Sequence, residues 1–163
     1  MSTLEHLQRK LESRDAEERR EAAVDLGRAG RGAIPLLLRA LGDTDWRVRK
    51  TAVEGLVVFG GDEVTNGLVH TLSAEDNAGA RNSAIEALTQ IGGAAVGPLL
   101  QLLEIRDPDV RKFAVDVLGD IRDARAVPGL IAKLGDTDEN VRVAAAEALG
   151  KLRDRRAVDA LVG

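Results

Sequence analysis

The sequence predicts an all-α solenoid, and three observations carry that prediction. Leu37, Leu68, Leu99, Leu130 and Leu161 recur at a step of 31 residues, and Leu41, Leu72, Leu103 and Leu134 keep the same step. Arg19, Arg49, Arg81, Arg111 and Arg142 form a second register, each followed three residues later by Ala and seven later by Leu. Asp15, Asp45, Asn77, Asp107 and Asp138 stand four residues before those arginines. A repeat of 20–50 residues marks a stack in which each unit buries its apolar face against its neighbours.

The chain opens with Leu4, Leu7 and Leu11 at helical spacing, over a segment (1–13) that reads as a lone capping helix. Gln8 occupies a slot that is apolar in every later unit, as suits a wetter outer face. Five units follow, at 14–43, 44–74, 75–105, 106–136 and 137–163, the last incomplete. Together with the capping helix they form a single domain.

Each unit begins with a helix A. Asp or Asn at its N-cap offers a short side-chain oxygen to a free backbone N–H of the first turn. Pro108 follows its cap directly, where proline is tolerated. Ala22, Ala52, Ala84, Ala114 and Ala145 share a stripe with Leu26, Leu56, Leu88, Leu118 and Leu149. Small Ala there admits a close neighbouring helix. Helix A is expected to end around Gly27, Gly60, Gly92, Gly119 or Gly150. Phe59 falls in the column of Ile91, Ile121 and Leu152, which is expected in the core.

Helix B carries the leucine ruler. Ile34, Val96, Val127 and Val158 precede it by three residues, with Thr65 in that slot of the second unit. Leu38, Val69, Leu100, Ile131 and Val162 complete an i, i+3, i+4, i+7 stripe. Pro35, Pro98 and Pro128 lie in the first turn, a permitted place. The chain stops at Gly163, before the leucine that would follow Leu161 by four, so self-association or chain continuation is expected through that end.

Composition limits the chemistry. Aromatics are 2% of the chain, charged residues 31%, and the net charge is −4. Acids and bases are interspersed, which argues against a general grip on nucleic acid. Cysteine is absent, so disulfides, thiolate catalysis and Cys-based metal sites are excluded. No apolar run approaches the ~20 residues of a membrane span, and the N-terminus lacks a secretory pattern. A cytoplasmic location without membrane contact is the expectation.

The segments DPDVRKFAVDVLGDIRDARAVPGLIAKLGD (107–136) and TDENVRVAAAEALGKLRDRRAV (137–158) resemble the HEAT-like repeat of the phycobilisome-lyase type. They share Asp-x-x-Val-Arg-x-x-Ala, a trailing Leu-Gly, and an Arg-Ala-Val start to helix B. The resemblance implies a right-handed superhelix of antiparallel helix pairs, A helices convex and B helices concave. It also implies a ladder between adjacent repeats, formed by Asp15, Asp45, Asp107 and Asp138 with Arg19, Arg49, Arg81, Arg111 and Arg142. Families of this fold contain bilin-lyase subunits, scaffolds and regulators, so fold alone does not fix activity.

Catalytic groupings are scarce. His6 and His70 are the two histidines, and two units separate them. With helices ~8–10 Å apart they stand on the order of 20 Å from each other and cannot share a metal. Hydroxylases built on such repeats need His-Glu pairs in several helices, and none occurs. The acid pairs Asp43 with Asp45, Glu75 with Asp76, and Asp136 with Asp138 fall in turns, where acids cap helices. Lys50 with Glu54 and Lys112 with Asp116 read as exposed i, i+4 pairs. Arg153, Arg155 and Arg156 read as a solvated turn.

The expected function is a non-enzymatic interaction module that needs no cofactor and no metal and binds a protein or peptide on its concave B-helix face. Arg39, His70, Gln101 and Lys133 form the contact row, with Trp46 and Arg47 on the adjoining turn. Trp46 shares its column with Ala16, Ala78, Pro108 and Glu139, so burial does not account for it, and exposed aromatics anchor partners. The alternatives are a subunit of a bilin lyase or isomerase, or a positioning domain of a larger regulatory protein.

Overall fold

The computed structural model describes residues 3–73 and 77–162, except the side chains of Asp159 and Leu161. The expected acid pair Glu75 and Asp76 and the fifth ruler leucine, Leu161, therefore lie outside the described side chains. All regular structure among the described residues is helical. The chain divides into two compact units, residues 1–88 and 89–163.

The first unit holds α1 (Thr3–Lys10), α2 (Ala16–Leu26), α3 (Ile34–Ala40), α4 (Trp46–Phe59), α5 (Gly61–Ser73) and most of α6 (Ala78–Ile91). The A helices α2 and α4 pack on each other, and α3 packs on α4 and α5. The second unit holds α7 (Val96–Leu102), α8 (Pro108–Ile121), α9 (Val127–Lys133), α10 (Glu139–Leu152) and α11 (Arg155–Val162). Its most extensive contact joins the A helices α8 and α10. A 3₁₀ turn leads into each of the short B helices α3, α7 and α9.

The expected caps are in place. Asp15, Asp45, Asp107 and Asp138 accept from the backbone N–H of Glu17, Arg47, Asp109 and Asn140, each at 2.8 Å. Asn77 takes the N–H of Ala80 at 2.9 Å. Each cap satisfies a donor that the first helical turn leaves without a partner.

The alanine stripe is fully buried at Ala22, Ala52, Ala84, Ala114 and Ala145, as are Leu26, Leu56, Leu88, Leu118 and Leu149. On the B helices Leu37, Leu68, Leu99 and Leu130 are buried. Each such leucine contributes roughly 1.5–3 kcal/mol through burial. Thr65 sits in the core slot and returns its hydroxyl to the carbonyl of Gly61 at 3.1 Å. An internal bond of that kind lets a hydroxyl occupy an apolar column. Phe59 is half-buried, and so are Ile91, Ile121 and Leu152, because this column lies at the rim where the A helix ends.

Helix ends require a correction. α4 and α6 stop before Gly60 and Gly92, but α8 and α10 run two residues past Gly119 and Gly150. For α4, α6, α8 and α10 the terminating residue stands eleven after the register arginine, at Gly60, Gly92, Arg122 and Arg153, with φ between 53° and 70°; α2 ends at Leu26 with Gly27 as its cap, as expected. A left-handed residue closes a helix at lowest cost as glycine. Two glycines eight residues after the arginine, Gly27 and Gly119, also lie where A helices pack. A Cβ on Gly119 would lie 2.8 Å from Cβ of Ala148, and one on Gly27 3.6 Å from Cα of Gly55. They mark where neighbouring A helices meet backbone to backbone.

Candidate functional site

Three arrangements of polar side chains stand on this frame: a buried ladder in the turns, an exposed row on the B helices, and a groove between two A helices. In the ladder, Arg19 of α2 grips Asp43 through Nε and Nη2 at 2.7 and 2.9 Å. Arg111 of α8 does the same to Asp136 at 2.9 and 2.7 Å. The third arm of each guanidinium turns inward. Nη1 of Arg111 donates to the carbonyls of Ile105 and Arg106, and Nη1 of Arg19 to that of Ser13. Arg49 and Arg142 address the carbonyls of residues 43–44 and 136–137 in the same way. The backbone N–H of Arg81 donates to the Asn77 carbonyl at 3.0 Å.

Arg19 and Arg111 do not pair with the capping aspartates as the resemblance implied. Their carboxylate is the one two residues ahead of the next cap, because a cap carboxylate already serves its own helix. Asp43 and Asp136 also receive the N–H of Asp45 and Asp138. Both aspartates of each turn pair are thus committed. Burial pushes the Asp43 carboxyl up, but the Arg19 bond and the Asp45 N–H hold it below its ordinary value. Asp136 is held low chiefly by Arg111, against burial.

The residues of the expected contact row separate by environment. In the first unit Arg39 and His70 are exposed on α3 and α5, and Arg39 reaches Glu12 at 3.0 Å. Arg47 is tied to its own cap: Nε and Nη2 meet Asp45 at 3.1 and 2.8 Å, and that bond first, then the Arg47 N–H, lowers the Asp45 carboxyl to about 2. In the second unit Gln101 is exposed on α7. Lys133 is not an exposed contact. Its side chain is 12% exposed, with Nζ 3.1 Å from Glu104 and 3.9 Å from Asp136, so it belongs with the Arg111 rung. Arg156 likewise does more than face solvent, since it bonds Asp154 and the carbonyl of Ala124.

Trp46 is the first residue of α4 and is 62% exposed. It lines a groove of about 210 Å³ between α4 and α6, with Lys50, Asn82, Ser83 and Glu86. Lys50 has no carboxylate partner among the described residues, which corrects the expected pair with Glu54. Lys112 does pair with Asp116, at 2.8 Å. Sequence reasoning singled out Trp46, but as an anchor on the turn beside the B-helix row, and missed Asn82 and Ser83. The Ser83 column reads Glu21, Thr51, Ser83, Phe113 and Ala144, without a pattern that could have singled it out. Among the described residues no three His, Asp or Glu side chains converge as metal ligands.

Helix pairs joined by aspartate-capped turns, with buried Ala and Leu columns repeating along the chain, define an α-helical repeat protein. The family model for HEAT repeats matches residues 4–89 and 96–163, and the chain belongs to that family. No curated protein matches it. Among solved structures, the TOG-domain protein crescerin aligns at TM-score 0.66 and 18% identity, covering 97% of this chain and 80% of that one. The CpcE–CpcF complex of phycocyanin lyase from Nostoc sp. PCC7120 aligns at 0.50 and 24%, covering 99% and 69%. An engineered protein aligns at 0.46 and 28%, covering 99% and 85%. These likenesses concern the fold. No helix among the described residues is long and apolar enough to cross a membrane.

Proposed function

We propose that this chain is a non-catalytic interaction module that binds a protein or peptide on the exposed side of its B helices. The observation that carries the reading is the placement of Arg39 and His70. Each is exposed on a helix whose ruler leucines, Leu37 with Leu41 and Leu68 with Leu72, are buried. A repeat stack spends its apolar residues on its own packing and leaves such polar columns for a partner. Trp46 and Arg47 extend the first unit's contact, and Gln101 is the second unit's own. The repeats at 14–43 through 137–163 behind a capping helix, and a cytoplasmic location, belong to the same reading.

The turn carboxylates support the non-catalytic part, because caps and arginines already engage them. The test is titration calorimetry with a partner isolated by affinity capture. The triple substitution Arg39→Ala, Trp46→Ala, His70→Ala is expected to weaken binding at least about tenfold, as loss of anchor side chains does. Unchanged affinity would sink the placement. New visible absorbance on mixing with a bilin would replace the reading with the lyase alternative.

A further inference from the structure

We infer that the groove between α4 and α6 is a second docking site, made for a short acidic segment of a partner protein. This rests on the reading that the chain binds proteins, but it uses neither Arg39 nor His70. Four polar groups line the groove and meet no hydrogen-bond partner among the described residues: the Trp46 indole N–H, the Lys50 ammonium, the Asn82 amide and the Ser83 hydroxyl. Ser83 is only 7% exposed. Its oxygen is not sealed from solvent, so a ligand group in the groove can take the place of water there.

The repeat supplies its own controls. In the second unit a groove between α8 and α10 is built from the same columns, with Lys112, Val143, Ala144 and Glu147 where the first has Lys50, Asn82, Ser83 and Glu86. There the lysine is paired with Asp116, the floor is apolar, and Pro108 replaces Trp46. Thr51, the counterpart of Ser83 on α4, gives its hydroxyl to the carbonyl of Arg47 at 2.9 Å. An unpaired lysine beside an exposed indole is therefore a property of the Trp46 groove and not of the repeat.

Their chemistry selects the occupant. A carboxylate meets the unpaired Lys50 and accepts from Asn82 and Ser83, while an adjoining apolar side chain covers the exposed indole face. A volume of about 210 Å³ falls below the ~300–1,000 Å³ of small-molecule pockets and suits one or two peptide side chains. A nucleic-acid backbone needs several phosphate contacts in a track. This groove offers two cations, Arg49 and Lys50, beside Glu86, in a chain of net charge −4.

Trp46 is the chain's single tryptophan, so the groove reports its own occupancy. The full chain is probed on an array of hexapeptides combining Asp and Glu with Leu, Val and Phe, against a matched array with Lys for the acids. The best binder is then titrated in solution with tryptophan emission as readout, and a single-stranded oligonucleotide is titrated in parallel. The expected result is preference for the acidic array, a saturable shift to shorter wavelength, and affinity at least about tenfold weaker in Lys50→Glu, as expected when a partner charge is reversed. Lys112→Glu in the equivalent groove, and Arg39→Ala with His70→Ala, leave the titration unchanged. Circular dichroism confirms that the Lys50→Glu protein is folded. No acidic preference, equal affinity in Lys50→Glu, or tighter binding of the oligonucleotide overturns the inference. Loss of the captured partner in the Arg39→Ala, His70→Ala double variant, which leaves the groove intact, is a separate readout, so either reading can fail alone.

Discussion

Asp136→Asn and Asp116→Asn make the same chemical change at carboxylates that bind their partners at nearly equal distances, 2.7 Å to Arg111 and 2.8 Å to Lys112. Only the surroundings differ. The Arg111 and Asp136 side chains are 9% and 5% exposed, those of Lys112 and Asp116 39% and 35%. Breaking a buried pair leaves a guanidinium uncompensated, at roughly 3–5 kcal/mol. Asparagine keeps one acceptor for Arg111 or the Asp138 N–H, which brings the expected cost to about 2–3 kcal/mol. The exposed i, i+4 pair contributes only about 0.3–0.5 kcal/mol. For a chain of this size each kcal/mol moves Tm by about 2–4 °C. Thermal unfolding at neutral pH is thus expected to show losses of about 4–12 °C for Asp136→Asn and about 1–2 °C for Asp116→Asn. The pH dependence adds a check of sign. Asp136 has a folded-state pKa below its ordinary 3.8, so its contribution is complete above that value and lost as pH falls through the lowered one. The gap between wild type and Asp136→Asn is expected to hold down to about pH 4 and to close only in stronger acid. Equal losses for the two variants would refute the assignment of ladder strength to burial.

Gly119 and Gly150 share a column but make opposite predictions for the same substitution. Gly119→Ala, whose Cβ would lie 2.8 Å from that of Ala148, is expected to cost about 1–3 kcal/mol in urea unfolding. Gly150→Ala, with nothing within 4 Å, is expected to gain about 0.5–1 kcal/mol in the same assay. Arg122→Gly relieves a left-handed residue with φ 56° and is expected to raise the urea midpoint, equivalent to about 0.5–1 kcal/mol. Asp107→Ala removes the cap of α8 and is expected to cost about 1 kcal/mol, read by far-ultraviolet circular dichroism during thermal melting.

The fold was legible because its information is periodic. Caps such as Asp45 act within four residues of themselves, and the Ala22 and Leu26 columns are set by helical period alone. Contacts between helices were less legible. The carboxylate that Arg111 finds is Asp136 and not a cap, since which of two turn acids is free depends on hydrogen bonds that the caps have already claimed. Gly119 looked like a helix stop because close helix approach and a left-handed turn both select glycine, and only coordinates tell them apart. Lys133 lies one residue beyond the column of Arg39, His70 and Gln101, and that step turns it toward Asp136. At the candidate site Trp46 stood out by being alone in its column, whereas Ser83 matters only because its counterpart Thr51 is satisfied and it is not.

The central claim is that the exposed B-helix columns meet the captured protein partner. Site-specific photo-crosslinking tests it most directly, with benzoylphenylalanine placed singly at His70 and Gln101 and, for comparison, at the exposed A-helix residues Glu21 and Glu147. The account predicts covalent adducts with the captured partner from His70 and Gln101 and none from Glu21 or Glu147. Adducts from Glu21 and Glu147 alone would contradict it.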